Sequence, residues 1–219
     1  MAEYALEQLR EAIVLGELAA GTPLRLDELA RSLGMSISPI REAVRQLEAL
    51  GLAKHVPHQG ARVLEFDVDE LQDLFEVRLA LESLAVRRAA DRFTDPEAAT
   101  ARAQLERFDS ASAAGDVRGT LRAHTAFHFT VYEASESPWL VALIRPAWHR
   151  SERFRPALLA TEGEPQRQHR EFDERLLTAC ESHDPEAAAN ALHDHLELAS
   201  VIFETELGGR GIFERRVPV

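Results

Sequence analysis

Three times in the last two thirds of the chain a short polar residue stands directly before a proline: Asp95-Pro96, Ser137-Pro138 and Asp184-Pro185. Such pairs suit the start of a helix. The polar side chain caps free backbone N–H groups, and a proline at the first helical position gives up an N–H that has no partner anyway. With further breaks at Gly115-Asp116 and Gly163-Glu164-Pro165, these starts divide residues 67–206 into about six helices. Asp67 with Glu70 adds a capping-box-like start for the first of them, a long helix reaching about residue 92. No alternating apolar pattern and no internal repeat competes, so this part reads as an all-α bundle.

The chain before residue 67 has another texture. Residues 3–16 place Leu6, Leu9 and Ile13 on one helical face, and a second short helix covers about 26–33 and stops at Gly34. Ser38 then offers an N-cap with Pro39 behind it, opening a helix that buries Ile40, Val44, Leu47 and Leu50. LAKHVP and ARVLEF alternate as two short strands around His58-Gln59-Gly60. This order is that of a winged helix-turn-helix with a small β-hairpin wing. The expected fold is mainly α: a winged helix-turn-helix DNA-binding domain over 1–66, an all-helical domain over 67–206, and a loose tail over 207–219.

Composition excludes several classes. The formal net charge is −12 and the pI about 5.2, which argues against a generally basic nucleic-acid binder. Residues 20–62 nevertheless carry six basic side chains (Arg25, Arg31, Arg41, Arg45, Lys54, Arg62) against four acidic ones. No apolar stretch reaches the roughly 18–20 residues of a membrane span, and the N-terminus lacks a basic start and a cleavage site. The single cysteine, Cys180, rules out an intramolecular disulfide framework, so a reducing cytoplasm is the expected location.

The helix over 38–50 has what a major-groove reader needs: an apolar face to anchor it and long polar side chains opposite. Ser38, Arg41, Arg45 and Gln46 face outward, and Arg41 and Arg45 stand one turn apart along one edge. Arg45 and the wing residue Gln59 suit phosphate or minor-groove contacts. Glu42 and Glu48 leave open a plain solvated amphipathic helix. The stretch from Leu9 to Val63 resembles the N-terminal domain of the GntR family of bacterial transcription regulators. The matching features are Gly16, Leu18, Gly21 and Leu24, then Leu29-Ala30 with Leu33-Gly34, then Ser36, Pro39, Ile40, Arg41, Glu42 and Ala43, and the wing glycine Gly60. The resemblance implies double-stranded operator DNA as partner, met by Ser36, Ser38, Arg41, Arg45, Gln46, Gln59 and Gly60. The chain departs from the family at Ile37, where an arginine often follows the turn serine, and at Asp27, where some members carry a basic residue.

Histidine is the informative residue of the second half. His124 and His128 lie four apart and share a helix face; His195 falls on the last helix, and His169 and Asp173 lie one turn apart on the helix before it. Two histidines from one helix with single ligands from two others can close a cage around a divalent cation. A histidine alone on a helix is more often an exposed or satisfied surface residue, which is the reading for His183 and His193. The segments LFEVRLALESLAVRRAA, ASESPWL and DPEAA resemble the FCD ligand-binding domain that accompanies this DNA-binding domain in the FadR subfamily. That resemblance implies a metal site. Matched to the family's aspartate and three histidines, the positions here hold His124, His128, Asp173 and His195, with His169 as substitute for Asp173. An aspartate and a histidine have traded places, leaving three imidazoles and one carboxylate, suited to zinc, nickel, iron or manganese.

The resemblance further implies a small carboxylic acid effector and a homodimer whose DNA-binding domains shift when the effector binds. Arg78 matches a frequent family arginine and could fork onto the effector carboxylate; Glu82, four residues on, offers the alternative of an ordinary Arg–Glu pair. Arg145, Arg150 and Arg153 are further candidates, and Trp139 and Trp148 are expected in core or interface. The function expected is a ligand-responsive transcription regulator, a repressor, and not an enzyme. The alternatives are a metal-dependent enzyme on the helical domain and a regulator whose metal is purely structural.

Overall fold

The structure, a computed structural model, describes residues 1–65, 68–152 and 164–207. Asp67 of the expected capping box, Arg153 and the tail from residue 208 lie outside the described residues. The chain divides into two compact units, Met1–Asp67 with Trp148–Pro156, and Val68–Ala147 with Ala157–Val219.

The first unit is built on α1 (Ala2–Val14), α2 (Leu26–Ser32) and α3 (Ile37–Ala49), followed by β1 (Ala53–Val56) and β2 (Gly60–Val63). Leu9 and Ile13 of α1 meet Ile40, Val44 and Leu47 of α3 in one apolar core that also holds Leu24, Leu52 and Val63. The strands pair antiparallel, Ala53 opposite Val63 and Val56 opposite Gly60. Gly60 takes φ +79°, a left-handed conformation that glycine adopts without steric cost, and it closes the wing turn.

Two details differ from the sequence reading. The cap of α3 is Ser36, not Ser38, so Pro39 lies in the third helical position. The first four N–H groups of a helix have no intrahelical partner, so proline costs nothing there either, and the helix starts a half-turn early. The wing also recruits the segment before α2: Gly21 and Leu24 donate to the carbonyls of Val63 and Ala61, and Val63 donates to Thr22. A stretch with loop composition thereby satisfies an otherwise open strand edge.

Among the described residues the second unit consists of six helices: α4 (Val68–Ala90), α5 (Asp95–Ala113), α6 (Val117–Glu133), the greater part of α7 (Pro138–Glu152), α8 (Glu164–Glu181) and α9 (Pro185–Leu207). Asp184 caps α9, accepting from the N–H of Ala187 at 3.0 Å, and Asp116 caps α6, accepting from Gly119 at 2.9 Å. At α5 the expectation is corrected, since Thr94 rather than Asp95 is the N-cap. Thr94-Asp95-Pro96-Glu97 is a capping box, and the Glu97 carboxylate accepts from the Thr94 N–H and hydroxyl at 2.8 Å each. α5 packs along α6, and α9 lies against both α4 and α8. Trp148 is buried, whereas Trp139 is 81% exposed. Burial pushes the Cys180 thiol up to about 12, with Glu181 adding to it, so this cysteine behaves as a core residue. No helix among the described residues is long and apolar enough to cross a membrane.

Candidate DNA interface and candidate metal centre

In the first unit α3 turns Ile40, Ala43, Val44 and Leu47 inward and leaves the opposite face in solvent. Ser36, Ser38, Arg41, Arg45, Gln59 and Gly60 are exposed, and Gln46 is half-buried. Arg41, Arg45 and Gln59 also line a groove of about 410 Å³ between α3 and the wing, together with Arg25 and His55. Sequence reasoning does not find Arg25 and His55 as members of this surface, because only the folding of the wing brings them beside α3. The wing is held by Arg62, which donates to the carbonyl of Gly21 at 2.9 Å and to the Gln59 side chain at 3.1 Å. Gln46 donates to Glu42 at 3.1 Å, while Arg45 stands 3.9 Å from the same carboxylate. An exposed pair that long is worth little. The groove therefore offers guanidinium groups that a phosphate or a base edge can take up at small cost.

The second unit gathers its chemistry inside. His124 and His128 project from α6, His169 and Asp173 from α8 and His195 from α9; Asp173 and His128 are 0% exposed and the other three 3%. Nε2 of His128 is 3.1 Å from both Nε2 of His124 and Oδ1 of Asp173. Nδ1 of His195 is 3.2 Å from Oδ1 of Asp173, and Nε2 of His124 is 3.7 Å from its Oδ2. One ligand atom from each of His124, His128, Asp173 and His195 lies within 4.8 Å of all the others. His169 reaches the cluster from one side, with Nε2 3.1 Å from Nε2 of His124 and its ring centroid 4.0 Å from that of His195.

These residues fit a divalent cation. A tetrahedron with bonds of about 2.1 Å has edges of roughly 3.4 Å, close to the separations found. Among the described residues neither carboxylate oxygen of Asp173 nor Nδ1 of His195 makes a hydrogen bond, although all three atoms are buried. Buried acceptor atoms turned toward one another are costly unless a proton or a cation lies between them. Burial by itself would raise the Asp173 pKa, but the imidazoles of His128, His124 and His195 outweigh it and hold it well below the usual carboxylate range.

The cluster has a buried support. Nδ1 of His128 is 3.2 Å from the hydroxyl of Tyr132, which donates to Oε2 of Glu82 at 2.7 Å. Arg78 forks onto Glu82 through Nε at 2.7 Å and Nη2 at 3.2 Å. Of the two readings of Arg78, the fold contains the ion pair, with both side chains almost fully buried. Tyr132 escapes sequence reasoning, although it lies four residues after His128 and shares its face. Arg145 lies over the Phe129 ring, 4.2 Å from its centroid, and pairs with Glu133. His183 bonds the carbonyl of Ala90 at 2.8 Å, a satisfied surface histidine.

A winged helix-turn-helix followed by a helical bundle with an inward-facing histidine cluster defines a class of two-part bacterial regulator, and comparison with known proteins agrees. Residues 2–63 match the family described as bacterial regulatory proteins of the gntR family, and residues 73–198 match the FCD domain. The chain belongs to the GntR family of regulators and carries a C-terminal FCD domain. It is 34% identical over 195 residues to a probable D-xylose utilization operon transcriptional repressor of Paenarthrobacter nicotinovorans, covering 86% of this chain and 84% of that one. It is 28% identical to the HTH-type transcriptional regulator McbR of Escherichia coli K12, over 86% of each chain. The solved structure of E. coli McbR/YncC is similar with a TM-score of 0.81 at 26% identity, covering 94% of this chain and 98% of that one. The protein is thus a DNA-binding transcriptional regulator and not an enzyme.

Proposed function

We propose that this chain is a homodimeric repressor of the FadR subfamily whose helical unit binds a small carboxylic acid beside a divalent metal ion. The observation that carries the reading is the set of mutually facing, buried acceptor atoms on His124, His128, Asp173 and His195. His124, His128, Asp173 and His195 would hold the ion, with His169, 3.1 Å from His124, as the substitute for Asp173. Bound there, the ion would supply a positive centre for an effector carboxylate. Arg41 at the head of α3 would read base edges in the major groove, with Ser36, Ser38 and Gln46 around it, while Arg45, Gln59 and the Gly60 turn would meet the backbone. The probable repressor of D-xylose utilization among the relatives supports the repressor reading. Trp139 and Leu143, exposed one turn apart on α7 at 81% and 56%, are apolar surface of the kind a second copy would cover. An effector switches such a dimer only by binding one arrangement more tightly, by a few kcal/mol.

The test is metal analysis of the purified protein beside His128→Ala, with a thermal-shift screen of small carboxylic acids. One metal per chain in the wild type, absent from the variant, and an acid that stabilises only the loaded protein are expected. Wild-type protein that takes up no zinc, nickel or manganese would overturn the metal reading and leave a metal-free sensor.

A further inference from the structure

The buried chain from Arg78 to His128 assigns its own protons. The Arg78 guanidinium is always charged and only donates; its two bonds to the two oxygens of Glu82 hold that residue as a carboxylate, which only accepts. The hydroxyl of Tyr132, 2.7 Å from Oε2 of Glu82, must then be the donor. A phenol has one proton, and here it is spent. Toward Nδ1 of His128, 3.2 Å away, Tyr132 has only lone pairs to offer. The proton on that contact must come from the imidazole, so a neutral His128 carries its hydrogen on Nδ1 and leaves Nε2 bare. Nε2 is the atom that lies 3.1 Å from Oδ1 of Asp173 and 3.1 Å from Nε2 of His124.

We infer that Tyr132 is a positioning residue that fixes the tautomer of His128, and that Glu82 and Arg78 act through it from α4. The inference rests on the metal-binding reading. In the other tautomer Nε2 would carry a hydrogen turned into the cluster, 3.1 Å from Nε2 of His124 and 3.1 Å from Oδ1 of Asp173, and its lone pair would be lost to a cation. The chain from α4 excludes that state and keeps a lone pair turned into the cluster before any ion arrives. Arg78 thus serves the site without touching it. Tyr132 and Glu82 are 0% exposed and Arg78 is 3% exposed, so water is a poor substitute for any member of the link.

The experiment compares wild type, Tyr132→Phe and Arg78→Lys as full-length proteins. Zinc affinity is measured by competition with a chromophoric chelator, and the tautomer of His128 by ¹⁵N NMR of histidine-labelled, metal-free protein. Tyr132→Phe keeps the ring and removes the phenol oxygen. It is expected to weaken zinc binding by about 10- to 100-fold, the range for removing a group that orients a metal-bound histidine, and to move the His128 proton off Nδ1. Arg78→Lys keeps the charge but gives up the fork and is expected to shift both readouts the same way by less. Zinc binding in Tyr132→Phe within twofold of wild type overturns the assignment while the metal reading stands. Weaker binding with an unchanged tautomer also overturns it, because packing alone would then be the cause. A wild type that binds no zinc overturns both.

Discussion

Arg45 in α3 and Arg78 in α4 each have a glutamate within one turn of their own helix, and their fates are opposite. Arg45 stands 3.9 Å from Glu42 with 74% and 50% of the two side chains exposed. Arg78 lies 2.7 Å from Glu82 with 3% and 1% exposed. In solvent the pair is weak and easily exchanged, which leaves Arg45 available to an incoming phosphate. Inside the helical unit each charge depends on the other, because an unpaired buried ion gives up its hydration with no compensation. The same short-range pattern is therefore a recognition surface in one unit and a fixed internal scaffold in the other. Burial decides which.

The largest expected effect comes from removing the two arginines one at a time. Arg78→Ala leaves Glu82 as an uncompensated buried carboxylate and is expected to cost about 3–5 kcal/mol. Arg45→Ala should change stability by less than about 0.5 kcal/mol. Urea denaturation of the two variants under identical conditions reads the difference. Equal effects would mean that the buried pair is not integral to the fold.

A smaller effect is expected within the DNA-facing surface. Arg41→Ala should weaken binding to a selected operator by about 1–3 kcal/mol and relax base preference at one position of each half-site. Arg45→Ala should instead weaken binding to all sequences alike and make the log–log salt slope shallower by about 0.9 for each phosphate no longer neutralised. Fluorescence anisotropy across a salt series separates the two roles. If both variants behave alike, the division between base reading and backbone binding fails.

The smallest change adds charge instead of removing it. Ile37 is 39% exposed at the head of α3. Ile37→Arg should leave stability nearly unchanged, tighten binding to any DNA and steepen the salt slope by about 0.9 for each further phosphate neutralised. An unaltered slope would show that this end of α3 does not approach the backbone.

Local features are legible where the signal is local. The helix-turn-helix order follows from periodicity and glycine stops, and the starts of α6 and α9 follow from Asp116 and Asp184. The displaced caps show the limit of that reading. Both Ser36 and Ser38 are good caps, and both Thr94 and Asp95 are; a proline tolerated at any of the first helical positions does not choose between them. Residues 21–24 have the composition of a loop, and their hydrogen bonds go to Ala61 and Val63, some 40 positions away. The histidines and Asp173 are legible as types on helix faces, by spacing and by family likeness. What they meet is not.

Capping and periodicity act within about one turn, so the order of amino acids sets the apolar face of each helix and places the helix starts to within a residue or two. The sequence also determines that acid dominates the chain while 20–62 stays mildly basic. Which polar residues become partners depends on how the helices pack. Tyr132 meets Glu82 across 50 positions and His169 meets His124 across 45. Helical spacing gives each residue a direction but not a neighbour. The neighbour is set by how α4, α6, α8 and α9 pack, and the interior they create gathers ordinary i, i+4 pairs into one buried cluster.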